Sequence, residues 1–85
     1  MLTIKILGSG CANCKKLEAS ARDAVTHSGV EAQIEKVTDY ADIMKYNILS
    51  TPGLVINEKV VSAGRIPSEA QIISMLTTAL EQSTN

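Results

Sequence analysis

Leu2-Thr3-Ile4-Lys5-Ile6-Leu7-Gly8-Ser9-Gly10-Cys11-Ala12-Asn13-Cys14-Lys15-Lys16-Leu17 is the stretch on which the architecture turns. Leu2 to Leu7 alternates in part and is rich in Ile and Leu, the pattern of a buried strand. Gly8-Ser9-Gly10 ends that run with a flexible turn. From Ala12 onward the period changes. Cys14, Leu17, Ala21, Ala24, Val25 and Ser28 recur at three- and four-residue steps, which predicts an amphipathic helix to about Thr26. Gly29 suits its C-terminal cap, and His27 stands in the last turn, where a positive charge complements the dipole. The two cysteines of the chain therefore fall where a strand hands over to a helix.

That placement has a chemical meaning. A thiol at a helix N-terminus faces unpaired backbone N–H groups and the positive end of the dipole. Both lower its pKa below the free value of about 8.5 and supply the thiolate at neutral pH. Cys14 lies one helical turn on, within reach of a mixed disulfide formed at Cys11. The mechanism expected is attack by Cys11 on a partner disulfide and resolution by Cys14. A bridge between them closes a very small loop and removes little unfolded-state entropy, so its purpose is chemical rather than structural. Asn13 and Lys15 are candidate modulators of this pair. Lys16 stands beside them, and both lysines also read as ordinary solvated side chains. A Cys-x-x-Cys pair alone is ambiguous between redox work, half of a zinc site and a soft-metal site. A closed zinc site needs four ligands, and the chain offers only Cys11, Cys14 and the distant His27. No metal and no cofactor beyond the Cys11–Cys14 disulfide is expected.

Further along, Ala32 to Val37 reads as a second strand, and Thr38-Asp39 caps a short helix to about Tyr46 with Ile43 and Met44 turned inward. Thr51-Pro52-Gly53 is a break before the apolar run Leu54-Val55-Ile56. Asn57-Glu58 separates that run from Val60-Val61-Ser62-Ala63 as a hairpin turn, although Glu58 suits positive φ less well than glycine would. Ser68 with Gln71 forms a capping box, followed by an apolar stripe of Ile72, Ile73, Leu76, Ala79 and Leu80. The order is β-α-β-α-β-β-α: an α/β fold with a four-stranded mixed sheet flanked by three helices. Residues 1–81 form one domain, and 82–85 form a polar C-terminal tail.

Composition bounds the rest. The chain has 85 residues, 45% of them apolar, with eight basic against nine acidic residues and a net charge of −1. There is no Phe or Trp, so the core must be aliphatic. No basic stripe interleaved with aromatics is present, which argues against nucleic-acid binding. The apolar runs are far short of the roughly 20 residues needed to span a bilayer, and no export signal is visible at the N-terminus. A cytoplasmic monomer is expected.

On the quoted stretch, together with Ile43-Met44-Lys45-Tyr46, Ser50-Thr51-Pro52 and Val60-Val61-Ser62-Ala63-Gly64, the chain resembles the small thioredoxin-like proteins known as redox-active disulfide proteins. The resemblance implies a glutaredoxin-sized thioredoxin fold with Cys11 as nucleophile and Cys14 as resolving thiol. It also implies that Pro52 is cis and lies opposite the cysteine pair, with Thr51 and Pro52 meeting an extended substrate. The partners it implies are a disulfide-containing protein and an upstream reductant. The departures are specific. Thioredoxins carry Trp-Cys-Gly-Pro-Cys, whereas Gly10 precedes Cys11 here and Ala12-Asn13 separate the cysteines. Lys5 stands where thioredoxins place a buried Asp, so the proton transfer assigned to that acid falls to water or to Lys5. The acid that helps glutaredoxins hold glutathione has no counterpart in Ala63-Gly64-Arg65-Ile66-Pro67-Ser68, which leaves glutathione use open.

Two other readings stand beside this one. Gly8-Ser9-Gly10-Cys11-Ala12-Asn13-Cys14 also looks like the Gly-Met-x-Cys-x-x-Cys loop of copper(I)-binding metallochaperone-like domains, with Ser9 where their Met stands. Those domains run β-α-β-β-α-β and end on a strand. The other is a non-enzymatic redox sensor or binding module, with Tyr46, Ile48 and Leu49 as a docking patch or as partial core.

Overall fold

The computed structural model describes residues 2–10 and 12–83. Met1, Cys11, Thr84 and Asn85 lie outside the described residues. The elements are β1 (Leu2–Leu7), α1 (Ala12–Ser28), β2 (Ala32–Val37), α2 (Tyr40–Met44), β3 (Gly53–Ile56), β4 (Lys59–Ala63) and α3 (Glu69–Ser83). The element order is the expected one. The helix boundaries move at three places. α1 runs on to Ser28, α2 stops at Met44, and α3 reaches Ser83, because Glu81 and Gln82 are good helix formers that continue a turn already nucleated.

The four strands form one sheet in the order β2-β1-β3-β4. β1 pairs with β2 in parallel, Leu2 to Ala32 through Leu7 to Val37, and with β3 antiparallel. Period-two alternation along β1 then sends its side chains to two different cores. Leu2, Ile4 and Ile6 join Leu54 and Ile56 under α1 (Leu17, Ala21, Ala24) and α3 (Ile72, Leu76, Ala79). Leu7 and Val55 form a smaller cluster on the second face with Ile43 and Ile48. Aliphatic side chains buried this fully contribute about 1.5–3 kcal/mol each. Two residues assigned inward by periodicity are exposed, Met44 at 47% and Leu80 at 38%, and Val25, Ser28 and Ile73 are half-buried. A helix as short as α2 presents only one side chain, Ile43, to the sheet, and Leu80 sits at the margin of the α3 stripe.

The caps follow side-chain chemistry. Ala41 N donates to Asp39 Oδ1 at 2.9 Å, opening α2. Gln71 N donates to Ser68 Oγ at 3.2 Å while Ser68 N donates to Gln71 Oε1 at 2.9 Å, which is the reciprocal capping box. α1 closes at Gly29, whose φ of 71° is left-handed and whose N–H donates to Val25 O at 3.1 Å. The far ends of α1 and α3 are joined through His27 Nδ1, 2.9 Å from Glu69 Oε2.

The β3–β4 hairpin turns on Asn57 (φ 50°) and Glu58 (φ 68°), both left-handed as a two-residue turn of this type requires. Asn57 ties the turn to β1 twice. Its Oδ1 accepts from Thr3 N at 3.0 Å and its own N–H donates to Thr3 O at 2.8 Å. Glu58 is compensated for its backbone by an ion pair, 2.5 Å from Lys5 Nζ, and by Tyr46 OH, which donates to its carboxylate at 3.2 and 3.3 Å.

Two outcomes are expected. Asn57→Ala removes an acceptor from Thr3 N–H and a residue type tolerant of positive φ, and should cost about 1–2 kcal/mol in urea unfolding. The Glu69 carboxylate raises the His27 pKa above its ordinary 6.5. A raised cationic pKa contributes stability that is present below the unfolded value and is lost as pH rises through the folded one. The difference in urea midpoint between the parent and His27→Gln should therefore be present near pH 6 and vanish by about pH 8.

Candidate functional site

The site lies at the end of the sheet where β1 leaves for α1, β3 begins and β4 ends. α1 starts at Ala12, the residue after Cys11, and carries no acidic residue in its first turn. Cys14 is on the inward face of α1, 5% exposed, in line with Leu17. Its sulfur occupies the space that a side chain at position 8 would need. A Cβ built on Gly8 collides with Cys14 Sγ, lies 3.3 Å from Cys14 Cβ, and comes within 4.0 Å of Pro52 Cα. Gly8 is thus the place where the Cys14 side chain and the Pro52 backbone approach β1. Cys11, the other member of the expected pair, lies outside the described residues.

The Thr51–Pro52 peptide bond is cis. Pro52 is buried and Thr51 exposed. The loop is fixed from the other side, where Gly64 N donates to Pro52 O at 2.8 Å and Gly64 packs on Ser50. Leu49, two residues before Thr51, is wholly solvent-exposed at 101%, whereas its neighbour Ile48 is buried in the second cluster. Of the expected docking patch, Ile48 and the half-buried Tyr46 therefore serve the fold, and Leu49 alone is free to meet a partner.

Asn13, Lys15 and Lys16 are exposed on the first turn of α1. Lys15 lines a small cavity of about 90 Å³ beside Cys14, together with Gly8, Gly10, Glu18, Lys36 and Thr38. The Glu18 carboxylate in its wall accepts from Arg22 at 2.8 and 3.0 Å and lies 3.6 Å from Lys36 Nζ. The Arg22 hydrogen bonds, helped by Lys36, hold its pKa below the usual carboxylate range. It is ionised and already neutralised.

Lys5 does not stand in for the missing acid. Alternation along β1 turns it away from the face that packs α1. Its Nζ donates to Tyr46 OH at 3.0 Å and pairs with Glu58. Those bonds, the one to Glu58 foremost, raise its pKa and hold it cationic. The same bond from Lys5 lowers the Glu58 carboxyl. A groove of about 690 Å³ opens around this triad on the second face, bordered by Glu35, Asp42 and Lys45. Sequence reasoning treated Gly8 as a turn residue and gave Gly64 no role at Pro52. Both act by close approach to segments remote in the chain, for which a single glycine carries no local signal.

A mixed four-stranded sheet, with α1 and α3 on one face and α2 on the other, and with a cis-proline loop against a buried cysteine at the start of a helix, defines the thioredoxin-like class. The family model for the thioredoxin domain matches residues 2–77, and the chain belongs to that family. It is 37% identical over 76 residues to a thioredoxin of Methanothermobacter thermautotrophicus, covering 89% of this chain and 99% of that protein. It is 36% identical over 81 residues to a thioredoxin of Methanocaldococcus jannaschii, covering 95% and 93%. In fold it is similar to thioredoxin-2 of the malaria parasite, with a TM-score of 0.69 at 13% identity over 92% of this chain and 82% of that one.

Gly8→Ala tests this close approach. The added methyl must displace the Cys14 sulfur, and overpacking of this kind should lower stability by about 1–3 kcal/mol in urea unfolding. An unchanged midpoint would mean that the contact yields freely.

Proposed function

We propose that the chain is a thiol–disulfide oxidoreductase that reduces or exchanges disulfides in partner proteins through Cys11 and Cys14. The observation that carries this reading is the seat of Cys14, a buried thiol side chain packed on Gly8 at the place where the chain also approaches the Pro52 backbone, three positions after Cys11. The thioredoxin family membership supports the same type of activity.

In the forward direction the Cys11 thiolate attacks one sulfur of the partner's disulfide. The other partner sulfur leaves as a thiolate and takes a proton from solvent. Cys14 then gives its proton to water, and its sulfur attacks Cys11. The Cys11–Cys14 disulfide forms and the second partner thiolate departs, so two electrons have passed to the partner. An upstream dithiol reductant restores the reduced pair by the same exchange. The exposed Thr51 backbone beside Pro52 suits pairing with an extended substrate segment. Such a dithiol fits a reducing cytoplasmic setting. The copper-carrier reading has less support, because a helix, α2, stands between β2 and β3, where the β-α-β-β-α-β order of such domains joins two strands directly.

Cys11→Ser should abolish disulfide reduction. Cys14→Ser should accumulate mixed disulfides with partners, seen by intact mass under non-reducing conditions. Retained turnover in Cys11→Ser would remove Cys11 from the nucleophile's role. Equilibrating the parent protein against glutathione or dithiothreitol should show the reversible loss of two hydrogens.

A further inference from the structure

The charges of this protein are unevenly matched. Of its eight basic residues, Lys5, Arg22, Lys36 and Lys45 each form an ion pair. Among the described residues Lys15, Lys16, Lys59 and Arg65 form none, and all four are exposed. Lys59 stands at the β3–β4 turn, at the opposite end of the sheet from the cysteine, and the other three border one place. Lys15 and Lys16 follow Cys14 on α1, and Arg65 follows Gly64, whose N–H holds Pro52 O. The segments that converge here, residues 8–10 with 12–17, 47–53 and 62–67, contain no Asp or Glu, although the chain as a whole has nine acids and a net charge of −1. The nearest carboxylate in the cavity wall, Glu18, is already spent on Arg22 and Lys36. Leu49 adds a fully exposed apolar side chain to the same rim.

Unpaired cations held without counter-charges around a reactive site form a local positive field on a protein of nearly neutral net charge. Such a field accelerates encounter with an oppositely charged surface and disfavours a like-charged one. We propose that the rim selects partners whose disulfide lies in an acidic segment of polypeptide, Lys15, Lys16 and Arg65 meeting its carboxylates and Leu49 an apolar neighbour. This inference rests on the oxidoreductase reading and adds the class of substrate to it. The cations steer and position the partner; the bond exchange remains that of the dithiol.

The test uses two peptides of equal length, each with one disulfide, flanked in one by Asp and Glu and in the other by Lys and Arg. Second-order reduction rates are measured at about 10 mM and about 150 mM salt, where the screening length falls from about 30 to 8 Å. At low salt the protein should reduce the acidic peptide at least about tenfold faster than the basic one, and the ratio should shrink at the higher salt. In a triple variant, Lys15→Glu, Lys16→Glu and Arg65→Glu, the order should reverse. Arg65→Glu alone, remote in sequence from the cysteines, should lower the ratio part of the way. The ratio is the readout, because it cancels any change in the dithiol itself. Equal rates for both peptides at low salt, or an unaltered ratio in the triple variant, would overturn the inference alone. Failure to reduce either peptide would overturn the oxidoreductase reading with it.

Discussion

The rest of the structure depends on one steric constraint: the sulfur of Cys14 sits where a side chain at residue 8 would otherwise be, in a space that the backbone of Pro52 borders. Three segments meet there, each supplied by a different element. β1 delivers Gly8, α1 delivers Cys14, and the entry to β3 delivers Pro52. The position of α1 over the sheet follows, since Leu17, Ala21 and Ala24 continue the line of Cys14 into the larger core. So does the position of the β4 exit, because Gly64 closes on Pro52 O. A thiol at such a junction is held by packing on several sides, and rigid support of this sort is what a reacting group requires.

Much of this was legible in the chain, because the signals were local. The stripes Leu17-Ala21-Ala24 and Ile72-Leu76-Ala79 repeat at the helical period, and Asp39 and the Ser68–Gln71 pair are caps whose bonds join residues two or three positions apart. What escaped depended on long-range partners. Glu58 takes a left-handed turn position against its residue type because Lys5 and Tyr46 hold its carboxylate. Lys5 in turn is drawn to that turn and away from the cysteine, which nothing in its neighbourhood of sequence announces. Met44 lost its inward place because α2 is too short to present a stripe. At the site, the cysteine spacing and Thr51-Pro52 were readable as a motif. The close approach at Gly8 was not, since an empty space is defined only by what fills it.

The two faces of the sheet divide the work. The face under α1 and α3 carries most of the fully buried side chains and fixes the fold. The other is covered only by α2 and the loop through Ile48, and it accommodates a charged triad and an open groove. Because β1 alternates between them, a single strand contributes Ile4 and Ile6 to the aliphatic core and Lys5 to the polar side, so neither face can slip in register without disrupting the other.

The complete exposure of Leu49 has an evolutionary consequence. It, Lys15, Lys16 and Arg65 lie on the rim and belong to neither buried cluster. Surface substitutions of that kind usually alter stability by no more than about 0.5 kcal/mol. A lineage can therefore exchange these four side chains freely, acquiring or abandoning clients, while the scaffold beneath stays under purifying selection for packing alone. Divergence of recognition is decoupled from conservation of architecture, and duplicated copies of such a chain could specialise within few mutational steps.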